Sequence, residues 1–251
     1  METMAFYRGT YFSHSVGMDR EVNILLPHDI GENERLKTLY LLHGYYGNHQ
    51  QWIRYTSIER YAAKHRLMVV MPEAQNGFYF NHAYGAAHFD ALMDVMHHVE
   101  RIFPVSKARE DRFVCGLSMG GYGALKWALT HPELFSKAAS LSGALDLVTL
   151  KKVFQEESPN LAYGLFGDED LEVSNNNLLS LLDGLLDAQA TLPSVYLACG
   201  TEDYLYHENL MFKEALEVRK VKHTYKASKG EHTWAYWDEA IQPVLDWIFN
   251  V

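Results

Sequence analysis

Short runs of apolar and β-branched residues recur along the chain after residue 36, and longer segments with a helical period lie between them. The six runs cover residues 38–42, 67–71, 112–115, 137–141, 194–199 and 223–227. Most of them end at or near a glycine, proline or serine, as strands that run into loops do. Strands that alternate with helices predict an α/β protein with a mostly parallel central sheet flanked by helices.

The segment between the second and third strands shows the helical period clearly. Its apolar positions form one stripe on a helix and are Leu92, Val95, Met96, Val99, Ile102 and Phe103. We expect this stripe to cover one face of the sheet and Pro104 to end the helix. Ahead of the first parallel strand, residues 5–13 and 21–26 are typical of a hairpin around Gly17 and Asp19, which would add antiparallel strands at one sheet edge.

Composition and charge exclude several classes of function. The 251 residues carry 22 lysines and arginines against 32 aspartates and glutamates, a net charge of −10. This balance argues against a nucleic-acid partner, because phosphates demand a basic surface. The longest unbroken apolar runs have five residues, far fewer than the roughly 20 that cross a membrane, so no membrane partner is expected.

The first residues and the cysteines indicate the compartment. No basic stretch followed by an apolar stretch opens the chain, so we expect no signal peptide and a cytoplasmic protein. Cys115 and Cys199 each lie in an apolar run, which favours buried reduced thiols over a disulfide.

Residues 116–120, Gly-Leu-Ser-Met-Gly, match the pattern G-x-S-x-G between a predicted strand and a predicted helix. A sharp turn at this point strains the backbone of the serine and projects its hydroxyl above the sheet, while the glycines remove Cβ atoms that would collide. Ser118 is therefore the candidate nucleophile of a hydrolase. The Met119 backbone N–H, at the start of the helix, is free to bind the negative oxygen of a tetrahedral intermediate.

A nucleophilic serine needs a histidine to take its proton and a carboxylate to orient that histidine. In the fold that this turn indicates, the chain order is serine, acid, histidine. Glu202 and Asp203 both follow the next-to-last strand, and we favour the shorter Asp203, one step further into the loop. His232, in the loop after the last strand, is the predicted base. His223 and His207, which begin a strand and a helix, are weaker candidates.

The first parallel strand runs into a glycine-containing loop, the position of the second oxyanion donor in such hydrolases. We assign this donor to the Tyr45 backbone N–H, which leaves the Tyr45 ring free to line the substrate pocket. Tyr46 and Trp234 are expected to add bulk near the serine and to limit the acyl group to a few carbons.

Six segments carry a family resemblance that extends over most of the chain. They are LLHGYYGN at 41–48, VVMPEAQNGFY at 69–79, GLSMGGYGALKWAL at 116–129, SGALD at 142–146, GTEDYL at 200–205 and GEHTWAYW at 230–237. Together they resemble α/β-hydrolases of the esterase D superfamily, closest to the bacterial tributyrin esterases. The resemblance implies Ser118, Asp203 and His232 as catalytic triad, Tyr45 and Met119 as oxyanion donors, and short-chain esters as small-molecule substrates, with no cofactor.

Residues 144–192 differ from the rest of the chain in charge, with nine acids against two lysines. We predict one domain over residues 1–251 in which this acidic segment is a small helical insertion over the active site. Two placements of the acids stay open. They line the entrance and repel anionic substrates, or they face solvent away from it.

Other functions fit parts of this sequence. S-formylglutathione hydrolases are similar to the chain but usually carry Leu-Thr-Cys where it has 45–47, Tyr-Tyr-Gly. A feruloyl or acetyl-carbohydrate esterase would differ from this function only in its substrate. The non-enzyme alternative is a binding protein on a hydrolase scaffold, and such a protein would not need the complete set of serine, acid and histidine.

The histidines could also suggest a metal site. His97 and His98 are adjacent on a helix and point about 100° apart, so they cannot share one ligand face. The loop residues His82 and His88 lie in no metal-binding motif, so no metal is predicted. A homo-oligomer is compatible with the sequence.

Overall fold

The computed structural model describes residues 3–249, which contain eight strands and nine α-helices. The strands are β1 (Met4–Ser13), β2 (Met18–Pro27), β3 (Thr38–Leu42), β4 (Met68–Pro72), β5 (Arg112–Leu117), β6 (Lys137–Leu141), β7 (Ser194–Gly200) and β8 (His223–Ser228). The helices are α1 (Gln51–Tyr55), α2 (Ile58–Ala63), α3 (Asp90–Ile102), α4 (Met119–Thr130), α5 (Leu147–Glu157), α6 (Pro159–Phe166), α7 (Leu178–Asp187), α8 (Tyr206–Val218) and α9 (Trp234–Phe249). The predicted strands are confirmed, each with ends within three residues of the expected ones.

The strands form one sheet in the order β1-β2-β4-β3-β5-β6-β7-β8. The pairs β1–β2 and β2–β4 are antiparallel, and every other pair is parallel. The hairpin therefore lies at one edge of the sheet, as predicted. Because parallel strands share one carboxyl end, the loops after β3, β5, β7 and β8 meet at the same edge.

The continuous apolar run of β3 reflects a sheet that is covered on both faces. Leu39 and Leu41 pack into a core with residues of α1, α2 and α9, whereas Tyr40 and Leu42 pack into a second core with residues of α3 and α4. Side chains alternate between faces along a strand, so a strand buried on both sides is apolar at nearly every position. This arrangement confirms the α/β-hydrolase fold expected from the sequence.

The predicted stripe on α3 is buried at Leu92, Val95, Met96 and Val99, whereas Ile102, in the last turn, is exposed. The helix ends at Ile102, just before Pro104. The acidic segment folds as α5, α6 and α7, of which α7 packs against α4. This confirms its helical character.

Two further expectations concern the cysteines and the membrane. Cys115 and Cys199 are free thiols and both are buried, as predicted. No helix within residues 3–249 has the length and apolar character needed to span a membrane.

Candidate active site

Ser118 occupies the turn between β5 and α4, with a φ of 53° and a ψ of −121°. A residue with a Cβ keeps such backbone angles only where the surrounding structure enforces them. Glycines make the turn sterically possible: a Cβ on Gly116 would collide with the Gly120 carbonyl, and a Cβ on Gly120 would lie 2.5 Å from the Leu42 carbonyl oxygen. The turn thus presents Ser118 at the carboxyl end of a central strand.

His232 joins Ser118 to Asp203 by hydrogen bonds. Its Nε2 atom lies 3.0 Å from the Ser118 Oγ, and its Nδ1 atom lies 3.0 and 2.9 Å from the two carboxylate oxygens of Asp203. Burial by itself would raise the pKa of Asp203, but hydrogen bonds from His232 and from the Leu205 N–H hold that pKa below its usual value. Asp203 is therefore an ionised partner that can orient the imidazole and stabilise its protonated form.

The other candidates for acid and base lie outside this chain of hydrogen bonds. Glu202 is half-exposed and its carboxylate lies 3.9 Å from the Lys229 ammonium group. His223 bonds through Nδ1 to the Val221 carbonyl oxygen at 2.9 Å, and His207 lies on α8. The structure thus brings together the three residues favoured from the sequence and separates the alternatives.

The direction of the Tyr45 N–H is set by His43. The Ala74 N–H donates to His43 Nε2 at 3.0 Å, so Nδ1 carries the proton of the neutral ring and donates to the Gly44 carbonyl oxygen at 2.8 Å. The C=O and N–H of one trans peptide point in opposite directions, so this bond turns the Tyr45 N–H away from the His43 ring. Among residues 3–249, that N–H has no acceptor. It is available to a ligand.

Met119 is the first residue of α4, and its side chain is fully buried. The first N–H groups of an α-helix have no partner within the helix, and the helix dipole favours negative charge next to them. The Met119 N–H therefore stands beside Ser118 as a second group suited to a negatively charged oxygen.

A strained loop, residues 73–80, braces the loop that carries Tyr45. Its residue Asn76 accepts a hydrogen bond from the Tyr46 N–H at 2.7 Å, and Tyr79 donates its hydroxyl to the His43 carbonyl oxygen at 3.0 Å. Tyr79 itself has a φ of 51°, and its carbonyl oxygen accepts from the Lys126 ammonium group at 2.9 Å. Burial lowers the pKa of Lys126 to about 7. These bonds, of which the two made by Tyr79 are buried, hold the loop above Ser118 in one conformation.

A cavity of about 490 Å³ opens over Ser118 and His232. Its remaining walls are Gly44, Tyr45, Tyr46, Gln51, Leu117, Tyr204, Thr233, Trp234 and Trp237. The three pocket residues expected from the sequence are all among them. Within the described part of the chain, no acid and no residue of 144–192 lines this cavity, so the nine acids of the insertion lie outside its walls.

The insertion nevertheless supports one wall. The ring of Phe154, on α5, lies 6.0 Å from the Tyr45 ring, and Phe78 lies 5.3 Å from it. On the other side, Trp234 packs against Trp52 and stacks on Tyr55. Both aromatic walls therefore have a second layer of rings behind them, which resists their displacement.

Sequence reasoning assigned no role at this site to His43 or Tyr204. His43 directly precedes Gly44 and the oxyanion donor Tyr45. Its position in the sequence could therefore have indicated that it orients this donor. Tyr204 follows Asp203, and its ring lies 4.6 Å from the His232 ring. No sequence pattern marks the contact of Tyr204 with the histidine, because it depends on how two distant loops meet.

The histidines weighed as metal ligands take part in other contacts. The rings of His82 and His88 lie 4.7 Å apart, and His88 Nδ1 lies 3.3 Å from the Arg20 guanidinium group. Burial, followed by the charge of Arg20, lowers the pKa of His88 to about 4. Over residues 3–249, no three side chains of His, Cys, Asp or Glu are grouped in a way that could hold a metal ion.

Known proteins resemble this chain over nearly its whole length. A family model described as "Putative esterase" matches residues 13–248. An acetyl esterase of Caldicellulosiruptor saccharolyticus is 28% identical over 99% of both chains. Two Staphylococcus aureus structures are each 35% identical and cover 98% of both chains: the fluorophosphonate-binding serine hydrolase FphF, with a TM-score of 0.92, and the S-formylglutathione hydrolase FrmB, with a TM-score of 0.88. The chain belongs to this esterase family and is a serine hydrolase with the α/β-hydrolase fold.

Proposed function

We propose that this protein is a carboxylesterase that hydrolyses esters with short acyl groups through an acyl-Ser118 intermediate. The observation that carries the proposal is the unbroken line of hydrogen bonds from Asp203 through His232 to Ser118 beneath an aromatic-walled cavity. As the Ser118 Oγ attacks the ester carbonyl, His232 takes the hydroxyl proton. The N–H groups of Tyr45 and Met119 donate to the carbonyl oxygen as it becomes negative.

The intermediate then breaks down in two steps. His232 gives its proton to the leaving alcohol, and the acyl group stays on Ser118 as an ester. A water molecule attacks this ester while His232 takes one of its protons, and the carboxylic acid leaves as Ser118 regains its hydrogen. Asp203 remains ionised throughout and stabilises the imidazolium formed in each step.

The restriction to short acyl groups rests on the cavity walls. Tyr45, Tyr46 and Trp234 line the space beside Ser118, and the ring layers behind Tyr45 and Trp234 resist their movement. Overfilling such a packed space is costly, so each added methylene beyond a few carbons should reduce turnover. The similarity to an acetyl esterase supports this size range.

Covalent labelling tests the nucleophile. A fluorophosphonate should add one equivalent to the protein at Ser118 with loss of fluoride, and a p-nitrophenyl acetate assay should show a burst of nitrophenol. Ser118→Ala should lose both, with a fall of several orders of magnitude in kcat. Ser140→Ala, which removes a buried hydroxyl on the neighbouring strand, is the control and should keep both. An unlabelled protein that still hydrolyses the ester would contradict the proposal.

A thioesterase activity is the second candidate, favoured by the similarity to an S-formylglutathione hydrolase. Glutathione carries two carboxylates, and among the described residues that line the cavity there is no lysine or arginine to pair with them. We therefore expect kcat/KM for S-formylglutathione to lie below that for a neutral acetyl ester, measured on one preparation. The opposite order would assign the thioester as substrate.

A further inference from the structure

Ser142 follows β6 directly and is fully buried. Its φ of 48° lies in the left-handed region, which is uncommon for serine. The Ser142 N–H donates to the Ala198 carbonyl oxygen at 2.7 Å. This bond holds Ser142 beside the end of β7, the strand that leads into Asp203.

The Ser142 hydroxyl accepts a hydrogen bond from Trp237. The indole Nε1 atom lies 3.2 Å from the Ser142 Oγ, and the indole ring is buried. The same ring meets the His232 ring edge to face, with 4.8 Å between centroids and an interplanar angle of 89°. Because Trp237 is held by Ser142, one side of the His232 imidazole is held as well.

The hydroxyl has its own proton left to donate. An indole N–H is a donor only, so the bond from Trp237 occupies a lone pair of the Ser142 Oγ. The Ser142 side chain contributes to the lowered pKa of Asp203, after burial, which raises that pKa, and after the stronger effects of His232 and the Leu205 N–H. The hydrogen bond with the indole is the side-chain contact that the geometry defines.

We propose that Ser142 is a positioning residue for the base of the site. By accepting a hydrogen bond from Trp237, it fixes the ring that packs edge to face against His232. The inference rests on the proposed catalytic roles of Asp203 and His232. Without the hydroxyl, the Trp237 indole gains freedom, and the histidine beside it no longer keeps its alignment with the Ser118 Oγ.

The chain offers a matched control for this role. Ser140 lies two residues earlier, on β6, and is also fully buried. Its Oγ has no hydrogen-bond partner. Ser140→Ala and Ser142→Ala therefore remove the same atom from nearby buried positions, and only the second change removes an observed hydrogen bond, the one from Trp237.

The test measures kcat and KM with p-nitrophenyl acetate for the wild type and both variants. Ser142→Ala should lower kcat about tenfold and change KM by less than about twofold, while Ser140→Ala keeps the wild-type values. A Ser142→Ala variant with wild-type kcat would overturn the inference, as would an equal loss in Ser140→Ala.

A second variant covers the case in which Ser142→Ala does not fold. Trp237→Phe keeps an aromatic ring against His232 and removes the N–H donor, so it should lower kcat about threefold with little change in KM. Wild-type kcat in Trp237→Phe would count against the role. Hydrolysis by the wild type and its loss in Ser118→Ala test the proposed function separately, so a failure of that function is distinguishable from a failure of this one.

Discussion

The carboxylate of Glu208, on α8, accepts a hydrogen bond from the backbone N–H of Asp146, at the start of the acidic insertion. This contact ties the insertion to the helix that follows Asp203. Burial raises the pKa of Glu208 to about 7, and the negative charge of Asp146 adds to the effect, although the hydrogen bond itself favours the ionised form. The carboxyl group therefore titrates in the folded protein well above the range of a free glutamate.

Glu208→Gln should flatten the dependence of stability on pH. Between the ordinary glutamate value and about 7, the folded protein binds one more proton at this site than the unfolded chain, so the free energy of unfolding falls as pH rises through this window. Removing the titration should stabilise the protein at pH 8 by up to about 3 kcal/mol and change little at pH 4. Urea unfolding at both values checks this, with Glu214→Gln on the exposed face of α8 as control. Equal stability of wild type and Glu208→Gln at pH 8 would contradict it.

His43→Leu should lower kcat about tenfold, because the Gly44 carbonyl loses its donor and the Tyr45 N–H loses its fixed direction. His43→Asn should lose less, since an amide nitrogen can replace Nδ1 as the donor to Gly44. Initial rates with p-nitrophenyl acetate, on variants shown to be folded by circular dichroism, compare the two. A folded leucine variant with wild-type turnover would show that His43 does not orient the donor.

Asp203→Asn should reduce turnover by about 10³- to 10⁴-fold, because an amide no longer stabilises the imidazolium and favours the wrong tautomer of His232. Glu202→Gln, the neighbouring change of the same kind, should have little effect, since Glu202 faces Lys229 at the surface. Steady-state kinetics on the two variants separate their roles. A greater loss of turnover in Glu202→Gln than in Asp203→Asn would assign the role of the catalytic acid to Glu202.

Tyr45→Ala should widen the acyl range. The backbone N–H stays in place while the ring between the cavity and Phe154 is removed, so kcat/KM for an octanoyl ester relative to an acetyl ester should rise about tenfold or more. Tyr84→Ala, an exposed tyrosine that does not line the cavity, is the control. An unchanged ratio in Tyr45→Ala would place the acyl group elsewhere. In the wild type, the acetyl and butyryl esters should be better substrates than the octanoyl ester.

The sequence by itself determined the features whose causes are local. The turn at Ser118 needs a strand, two glycines and a helix within a short stretch of chain, and all of them are legible in that stretch. The central strands β3 and β4 could be predicted for a similar reason, because burial on both faces leaves an apolar run. The order of serine, acid and histidine then followed from the fold that the turn indicates.

Only the tertiary structure decided which neighbours these residues meet. Glu202 and Asp203 are adjacent acids in one loop, and the path of that loop toward His232 distinguishes them. Ser142 and Trp237 are 95 residues apart, so no periodicity or local motif relates them. Such contacts arise where the ends of several strands converge, and each depends on the geometry of two or more loops at once. Secondary-structure propensity and hydrophobic pattern depend on residues that are close in sequence. Hydrogen-bond partners at the edge of the sheet come from distant parts of the chain, and the packed core beneath them fixes their positions.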